Sequence, residues 1–395
     1  MDEVAELELP TQENVHADLR SVFQGAVKLA LETVLQEVLR DLVGASRWQR
    51  LVSRKDVRNG TYLRSLLTTM GLIEVAVPRT RQNGSAVDVI GRYRRRSAEI
   101  DEGIVAAYVR GASTRDIGEI TEALVGERVG RSTVSRVTKS LNEKVEELRK
   151  APVSGPIPYL FLDATFLEAR WARAVENVSA LVAYGIGLDG HRQLLAVTIG
   201  AEESEDSWSE LLAQLIERGL SGVQLVVADA HAGIAAAVRR HLPEAPLQRC
   251  VVHLQRNVVG KAPQRLRSRL AREVWNVFQA PSRAEARQRL KALKGGLGRQ
   301  LPEAMECLEA GFEAATRFYD FPRQHWHRIR STNGLERLHG EIKRRIRAVG
   351  AFPDRASALR LITAVALQVT AIWTDRRYLD MSLLKSNEKE IAQAA

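Results

Sequence analysis

Apolar residues recur at helical spacing along residues 15–43, and the pattern stops at Gly44. The members of this stripe include Val22, Val27, Leu31, Val34 and Val38. Such spacing predicts a long amphipathic helix. The later stretch LIEVAVPRTR alternates between apolar and polar residues, as a strand does, and runs into Pro78.

Three helices are predicted over residues 101–150. The second opens with STRD, a capping-box pattern in which Ser113 is the cap and Asp116 stands three residues on. After the Gly-bearing turn ERVG, the third begins with the letters RSTVSRVTKSLNE. Two short helices joined by a tight turn are typical of a helix-turn-helix, although an ordinary helical bundle shares the pattern. The side chains that the third helix would offer to a DNA groove are Arg131, Ser132, Thr133, Ser135 and Arg136.

A Pro-rich linker, APVSGPIP at residues 151–158, separates this helical part from an α/β pattern. Three strands come first, and the turn at Asp189-Gly190 predicts a hairpin between the second and the third. Helix, strand, helix and short strand follow, so we expect a mixed sheet with helices packed on it. Two buried strands are predicted to end on acids without a partner base, YLFLDA at Asp163 and VQLVVADA at Asp229.

Residues 261–330 contain no evident strand and are predicted to form helices only. The segment RSTNGLERLHGEIKRRIRAVG then predicts one further helix, capped by Ser331 or Thr332. Its buried stripe consists of Leu335, Leu338, Ile342 and Ile346. A last apolar helix is predicted from Ala356 to Trp373. The longest apolar stretch, Leu361 to Trp373, is too short to span a bilayer.

The charge of the chain favours a nucleic-acid partner. The formal net charge is +10 with a pI near 9.8, and residues 47–96 carry 12 Lys and Arg against three acids, a net +9. A basic block this concentrated favours a polyanionic partner over a merely solvated face. The two cysteines, Cys250 and Cys307, favour a reducing cytosol over a disulfide scaffold. The acidic start MDEVAELELP lacks the form of a signal peptide.

The two strand-end aspartates can converge, because strands aligned in one sheet end at the same edge. Like charges a few ångströms apart repel and require a cation between them, and Mg²⁺ prefers such hard oxygen ligands. Two such ions about 3.5 to 4 Å apart activate a water or a 3′-hydroxyl and stabilise the leaving oxygen in phosphodiester chemistry. A third carboxylate fits at Glu336, whose helix flank also carries His339, Lys343 and Arg347.

Other interpretations stay open from the residues alone. A strand-end Asp often forms a turn, and Asp229 is placed to cap the helix that follows it. Cys250-x-x-His253 is half of a zinc pattern, for which His325 and His327 are candidate partners. The same pair fits a buried cysteine at a strand end and a histidine that orients a backbone or phosphate group near the site.

The motifs together resemble those of the bacterial Mutator-type insertion-sequence transposases, which use a DDE triad on a ribonuclease-H-like fold. YLFLDA and RGLSGVQLVVADAHAGIAAAV resemble the two aspartate blocks, RCVVHLQRN the C-x-x-H block, and STNGLERLHGEIKRR the T-N-x-x-E block. The resemblance covers most of the chain. It departs at TFLEAR, directly after the first aspartate block, where a Tyr and basic residues are frequent in the family. This departure affects the expected DNA contacts and not the triad.

The resemblance implies that Asp163, Asp229 and Glu336 are the catalytic residues and the ligands of two Mg²⁺ ions, for which Mn²⁺ is a substitute. The residues expected near the site are Cys250, His253, Arg256 and Asn333. From their place on the same basic helix, Lys343, Arg344, Arg345 and Arg347 are expected to contact DNA phosphates around the site.

The implied activity is that of a DNA transposase. Such an enzyme binds the terminal inverted repeats of its own element, nicks to free a 3′-hydroxyl and joins that hydroxyl to another strand. The family's usual route is copy-out through a circular intermediate. The expected partners are the terminal repeats, target DNA and further copies of the chain in a homodimer or higher oligomer, without a membrane. The expected location is the bacterial cytoplasm, at the nucleoid.

The expected fold class is α/β, with a ribonuclease-H-like mixed sheet and flanking helices. Five parts follow from the pattern and the resemblance. They are a helical and basic DNA-binding region (1–98), a helix-turn-helix (99–150), the first part of the catalytic core (151–260), an all-α insertion (261–330) and the second part of the core with the C-terminal helices (331–395).

Three other functions compete with the transposase. A ribonuclease-H-like nuclease or resolvase would hydrolyse without joining strands, but a minimal nuclease lacks the basic N-terminal segment and the helix-turn-helix. A non-catalytic DNA-binding regulator would not need all three acids. A phosphatase with Asp163 as nucleophile would require a second Asp two residues on, where this chain has Thr165.

Overall fold

The computed structural model describes residues 12–49, 51–82, 94–171, 174–200 and 202–384. The chain forms two compact units, residues 1–139 and 140–395, so the division lies before the boundary at 150 that the sequence suggests. The acidic start at residues 1–10 and residues 83–93 of the basic segment lie outside the described residues.

The first unit opens with a long helix and a two-stranded hairpin. Helix α1 (Gln12–Val43) ends at Gly44, whose φ of 71° is a left-handed conformation that glycine adopts without a steric penalty. Strand β1 (Arg58–Thr68) pairs antiparallel with β2 (Gly71–Thr80). The sequence predicts α1 and β2 but not β1, because three of the first seven residues of β1 are Arg or Gly.

α1 and the hairpin share a small apolar core. The buried members of this core are Leu35, Leu66, Ile73, Val75 and Val77. The three from β2 alternate with exposed or half-buried residues, as a strand with one covered face requires. The hairpin therefore offers its other face to solvent.

Three short helices complete the first unit. They are α2 (Ala98–Val109), α3 (Thr114–Val125) and α4 (Arg131–Val137). The capping box at the start of α3 is confirmed, since Ser113 Oγ accepts from the Asp116 N–H at 3.2 Å and Asp116 Oδ2 accepts from the Ser113 N–H at 3.0 Å. The turn after α3 is fixed by Thr121, whose hydroxyl accepts from the Val129 N–H at 3.0 Å.

The prediction of one continuous third helix is wrong. α4 ends at Val137, a 3₁₀ turn covers Thr138–Ser140, and a separate helix, α5 (Leu141–Lys150), belongs to the second unit. The Thr138 hydroxyl donates to the Ser135 carbonyl at 3.2 Å. Such a side-chain bond competes with the helical backbone ladder, which accounts for the break at this residue.

The second unit is built on a five-stranded sheet in the order β5-β4-β3-β6-β7. The strands are β3 (Tyr159–Trp171), β4 (Ala174–Ile186), β5 (Arg192–Gly200), β6 (Leu225–Ala228) and β7 (Leu247–Arg249). β3, β4 and β5 form an antiparallel meander, whereas β6 runs parallel to β3 and β7 parallel to β6. The expected mixed α/β architecture is confirmed.

β3 does not end at Asp163, and that prediction is wrong. Its antiparallel pairing with β4 runs along the whole strand, with Asp163 opposite Val182. The pairing that stops nearby is the parallel one with β6, whose last pair is Phe161 with Val227. β3 is buried at every residue up to Asp163 and alternates between buried and exposed residues from Thr165 onward. Asp163 therefore marks the point where the strand leaves the fully covered part of the sheet.

Helices cover the sheet on both faces. Those of the second unit after α5 are α6 (Glu205–Glu217), α7 (Ala232–His241), α8 (Val251–Gly260), α9 (Gln264–Phe278), α10 (Arg283–Leu297), α11 (Pro302–Ala315), α12 (Trp326–Ile329), α13 (Asn333–Ile346) and α14 (Arg355–Thr370). α6 and α7 pack on one face through a core that includes Leu162 and Trp208. α13 and α14 contact β3. As predicted, residues 261–330 contain helices and no strand.

The segment Arg355–Trp373, which comprises α14 and the turn after it, is long and apolar enough to span a bilayer by length and composition, with a mean hydropathy of 1.5. However, 56% of its most apolar window is buried inside the protein. It packs against β3, β5, α5 and α13 within the second unit. These contacts make it a core helix of that unit.

The capping box of α3 yields a stability prediction. Ser113→Ala removes the acceptor for the Asp116 N–H, and we expect the local free energy of opening of α3 to fall by about 1 kcal/mol. Amide hydrogen exchange of peptides from α3 measures this. Ser132→Ala is the matched control, because Ser132 lies in the first turn of α4, whose N-cap makes no side-chain bond. Equal exchange in the two variants would contradict the prediction.

Candidate active site

Three chain segments meet at one edge of the sheet in the second unit. Asp229 directly follows β6 and Cys250 directly follows β7, next to the point on β3 where Asp163 stands. The Cys250 N–H donates to the Ala228 carbonyl at 2.7 Å, which holds the two strand ends in register. Carboxyl ends of parallel strands collect ligand-binding side chains in this way.

α13 brings the third acid to this edge. Its buried side chains Leu335, Leu338 and Ile342 form the stripe that the sequence predicts, although Ile346 is only half-buried. A Cβ atom on Gly334 would lie 2.8 Å from Tyr184 Oη, so only a glycine permits this close approach of the first turn to β4. Glu336 follows two residues later and is carried to the sheet edge.

The prediction that a Ser331 or Thr332 side chain caps α13 is wrong, although Thr332 does stand at the N-cap position. Instead, the N–H and the hydroxyl of Thr332 both contact Cys250 Sγ, at 3.4 and 3.5 Å. The buried thiol competes successfully for the hydroxyl, and it ties the start of α13 to the end of β7.

Two histidines and an arginine lie between the three acids. His339 Nδ1 is 3.4 Å from Asp163 Oδ2. His253 Nδ1 is 4.0 Å from Asp229 Oδ2, and its Nε2 is 3.5 Å from Glu336 Oε1. Arg256 Nη1 reaches the same Glu336 oxygen at 2.7 Å. The structure thus brings Asp163, Asp229 and Glu336 to one site, with His253 between the last two.

The electrostatics of this edge keep His253 charged. The pKa of His253 is raised to about 9, first by its interaction with the Cys250 side chain and further by the charges of Asp229 and Asp163, although burial opposes the shift. Burial alone raises the pKa of the Cys250 thiol, but its interactions with His253 and Thr332 outweigh burial and lower the pKa. His253 is therefore an imidazolium at neutral pH and offsets carboxylate charge.

A fourth carboxylate, Glu203, lies at the same edge and escapes prediction from the sequence. Its Oε1 lies 4.0 Å from His231 Nδ1. Burial raises the pKa of Glu203; His231 lowers it, and the charges of Asp163 and Asp229 raise it further. The available signal is the acidic run EESEDS, which spans the start of α6. Acids before a helix are ordinary N-terminal residues, and the pattern does not tell which one turns inward.

Two alternative interpretations of these residues lose support. The N-cap of α7 is His231, whose Nδ1 accepts from the Gly233 N–H, so Asp229 does not cap that helix. His325, a candidate zinc partner, uses both ring nitrogens elsewhere, with Nδ1 2.8 Å from Tyr159 Oη and Nε2 2.9 Å from the Asp380 carbonyl. In the part of the chain that the structure describes, no three His, Cys, Asp or Glu residues form a preassembled metal site.

The other predicted site residues are distributed over both units. Lys343 on α13 and Arg347 at its C-cap are exposed, whereas Arg344 and the largely buried Arg345 pair with Glu341 at 2.7 and 3.7 Å. Asn333 is the exposed first residue of α13. In the first unit, α4 carries the five residues predicted to face a DNA groove. Thr133 is half-buried, and the other four are exposed, namely Arg131, Ser132, Ser135 and Arg136.

Comparison with known proteins explains why these motifs occur together. A family model described as "Transposase, Mutator family" matches residues 2–375. The chain belongs to the Mutator family of transposases. Among solved structures, a simian T-cell lymphotropic virus intasome in complex with PP2A regulatory subunit B56 gamma matches at 11% identity and a TM-score of 0.16 over 43% of this chain and 70% of that one. A likeness this weak supports no conclusion.

Curated relatives match this transposase over nearly its whole length. The transposase for insertion sequence element ISRM5 of Rhizobium meliloti (strain 1021) is 36% identical, over 92% of this chain and 93% of its own. That for IS406 of Burkholderia multivorans (strain ATCC 17616 / 249) is 34% identical, over 86% and 88%. That for IS256 in transposon Tn4001 of Staphylococcus aureus is 33% identical, over 91% and 94%.

The two cysteines should differ in reactivity. Cys250 has no exposed surface, whereas Cys307 is half-buried. Although the pKa of Cys250 is lowered, a reagent must reach the sulfur, so we expect a bulky disulfide reagent to modify Cys307 first and Cys250 only on unfolding. Thiol titration of the native chain and of Cys307→Ser checks this. Rapid labelling of native Cys307→Ser would contradict the burial of Cys250.

Proposed function

We propose that this transposase binds the terminal inverted repeats of its insertion sequence, nicks the DNA and joins the freed 3′-hydroxyl to another strand. Asp163, Asp229 and Glu336 are the catalytic residues of this proposal. The single observation that carries it is the convergence of these acids, from β3, the end of β6 and the start of α13, on one sheet edge around His253. The family and the names of its relatives support the reaction class.

A ribonuclease-H-like fold is part of the proposal. It is supported by the mixed sheet, antiparallel on one side of β3 and parallel on the other. Two aspartates lie on or next to neighbouring parallel strands, and the all-α segment α9–α12 separates β7 and α8 from the helix with the last acid. The last acid is far from the two aspartates in sequence but close to them in space. This suits an all-α insertion placed before the last acid.

The proposed cofactor is Mg²⁺, with two ions bound by the three carboxylates. The donor set fits, because carboxylate oxygens are the hard ligands that Mg²⁺ prefers. When bound, such ions lower the pKa of an attacking hydroxyl and stabilise the leaving oxygen. His253 and Arg256 now offset the charge that a divalent cation would neutralise. Because no three ligands form a preassembled metal site in the described residues, ion binding would have to displace these two side chains and draw the carboxylates together.

Each residue near the acids has a defined part in this proposal. His339 is buried and holds the Asp163 carboxylate from α13. Cys250 anchors the start of α13 through Thr332 and so positions Glu336. Lys343 on the same helix and Arg347 at its C-cap lie exposed about two and three turns beyond Glu336, where guanidinium and ammonium groups can bind the phosphates of the strand being cut.

End recognition is assigned to the first unit. α3 and α4 contact each other across a short turn pinned by Thr121, an arrangement that suits a helix-turn-helix. The first turns of α4 present Arg131, Ser132 and Arg136 to solvent, as a recognition helix does toward a major groove. The element's two ends would engage two or more copies of the chain, which is the reason to propose a homo-oligomer on DNA in the cytoplasm.

A nuclease or resolvase is the second candidate, since hydrolysis needs the same carboxylates. The two functions separate in an assay that supplies a DNA end with a free 3′-hydroxyl and a labelled target duplex. Joined product supports the transposase, whereas cleavage alone supports the nuclease. A non-catalytic regulator would give neither.

The two aspartates generate the first catalytic prediction. Asp163→Asn and Asp229→Asn should each lower nicking and strand transfer by more than about 100-fold, on the scale of losing a principal electrostatic contact in the transition state, while DNA binding survives. Asp189→Asn is the control, because Asp189 only forms the β4–β5 turn, accepting from the His191 N–H at 2.9 Å. Substantial Mg²⁺-dependent activity in either variant would contradict the assignment of that aspartate to the catalytic triad.

Two glutamates on α13 generate the second. Glu336 faces Arg256 and His253, whereas Glu341 pairs with Arg344 and Arg345 on the helix itself, at 2.7 and 3.7 Å. Glu336→Gln should abolish strand transfer. Glu341→Gln should keep it and cost at most about 0.5 kcal/mol of helix stability per lost pair. Parallel strand-transfer assays decide, and the reverse outcome would show that the third acid is misassigned.

A further inference from the structure

The first unit contains a positively charged pocket that is not lined by residues of α2, α3 or α4. It lies between the second half of α1, the loop after Gly44 and the start of the hairpin, and its volume is about 520 Å³. Arg47, Trp48, Arg54 and Arg58 are among its lining residues. We call these four residues and the space between them the Arg-Trp pocket.

The three guanidiniums of the Arg-Trp pocket have no acidic partner among the described residues. Arg58 donates to Gln36 Oε1 at 3.2 Å and to the Ala45 carbonyl at 3.5 Å, and its Nε is buried without a hydrogen-bond partner there. Arg54 donates through Nε to the Asp56 carbonyl at 2.9 Å. Burial lowers the pKa of Arg58, and the nearby charges of Arg54 and Arg47 lower it further.

Such an arrangement is incomplete without an anion. Cations held within electrostatic reach of one another destabilise the fold unless a counter-charge offsets the repulsion. Guanidinium groups bind phosphate oxygens through paired N–H donors. Because no carboxylate of the described residues lines this pocket, these donors are available to an anion. Ordered donors in a concave site also bind an anion more strongly than the same groups scattered on a surface.

Trp48 adds a second, independent observation. Its side chain is 87% exposed, and its backbone φ of 69° makes it the one non-glycine residue with a positive φ in the described chain. A bulky side chain in the left-handed region is strained, and such strain persists mainly where a site uses it. The Arg47 guanidinium lies 5.5 Å from the centre of the indole ring. The turn thus displays a flat apolar surface at the mouth of a cationic pocket.

We propose that the Arg-Trp pocket binds the phosphodiester backbone of DNA, with Trp48 packed on a sugar or base next to the bound phosphates. This inference rests on the proposed function, since it gives the DNA-binding first unit a contact separate from α4. The site reads no sequence, because phosphate contacts set position and register while base contacts specify. It fastens the DNA end while another element identifies it.

The charge of the pocket is tested by salt dependence of DNA binding, measured with the full-length chain. Arg47→Gln combined with Arg54→Gln removes two charges, while Arg58 stays because it bonds Gln36 and Ala45. Each lost phosphate contact lowers the slope of log Kd against log salt by about 0.9, so we expect a loss of about 1.8. Arg20→Gln combined with Lys28→Gln is the control, since both residues are exposed on α1, and Lys28 precedes Gln36 by about 12 Å of helix.

The aromatic part is tested by Trp48→Ala and Trp48→Phe. Stacking on a base is worth about 1–3 kcal/mol, which corresponds to about 5- to 150-fold in Kd, so the Ala variant should bind DNA at least fivefold more weakly and the Phe variant should recover most of that loss. Val52→Ala is the control, because Val52 is a fully exposed apolar residue four positions on.

The outcomes separate the two proposals. If the unaltered chain shows no salt-dependent DNA binding, the proposed function and the pocket both fail. If it binds DNA steeply with salt but the Arg47/Arg54 variant keeps the full slope, or matches the α1 control, only the pocket fails. The last experiment measures the binding of inorganic pyrophosphate to the full-length chain by calorimetry. Binding that requires Arg47 and Arg54, with an unchanged DNA slope, would assign the pocket to free phosphates and overturn the DNA inference.

Discussion

Carboxylates that meet in a partly buried site repel one another, and the second unit brings three of them to one edge of its sheet. Asp163, Asp229 and Glu336 come from segments far apart in the chain. Bringing their negative charges together is electrostatically unfavourable unless positive groups lie nearby. The His253 imidazolium and Arg256 provide counter-charge, and His339 Nδ1 lies 3.4 Å from Asp163 Oδ2. The mixed sheet positions two of the acids by backbone pairing, and α13 supplies the third.

The segment from Cys250 to His253 connects these parts. Its backbone is bonded to the end of β6, its thiol holds Thr332 at the start of α13, and its histidine reaches two of the acids. One short stretch therefore relates strand, helix and carboxylates to one another. Under the proposed function, replacement of Cys250 would shift Glu336 through Thr332 and the start of α13, although the thiol does not contact that acid.

Local patterns predict most helices and strands, because strand burial, helix periodicity and capping residues depend on neighbours in sequence. The same patterns point to Asp163, Asp229 and Glu336 as candidate site residues. Non-local effects are what the patterns miss. β3 continues past Asp163 since β4 pairs along all of it, and no local signal at Asp163 reports a partner strand. Glu203 is largely buried beside His231 and within reach of the charges of Asp163 and Asp229, neighbours that are distant from it in sequence. Thr332 prefers a thiol 82 residues away to its own helix.

The all-α segment between α8 and α13 has a consequence for the timing of synthesis. Asp163 and Glu336 are 173 positions apart, so at about 5–20 residues per second a ribosome needs roughly 9 to 35 seconds to pass from one to the other. Once Asp229 has been added, the nascent chain carries the complete first unit and both aspartates but not the glutamate of α13. Under the proposed function, a truncated product released at that stage would bind DNA but lack the third catalytic acid.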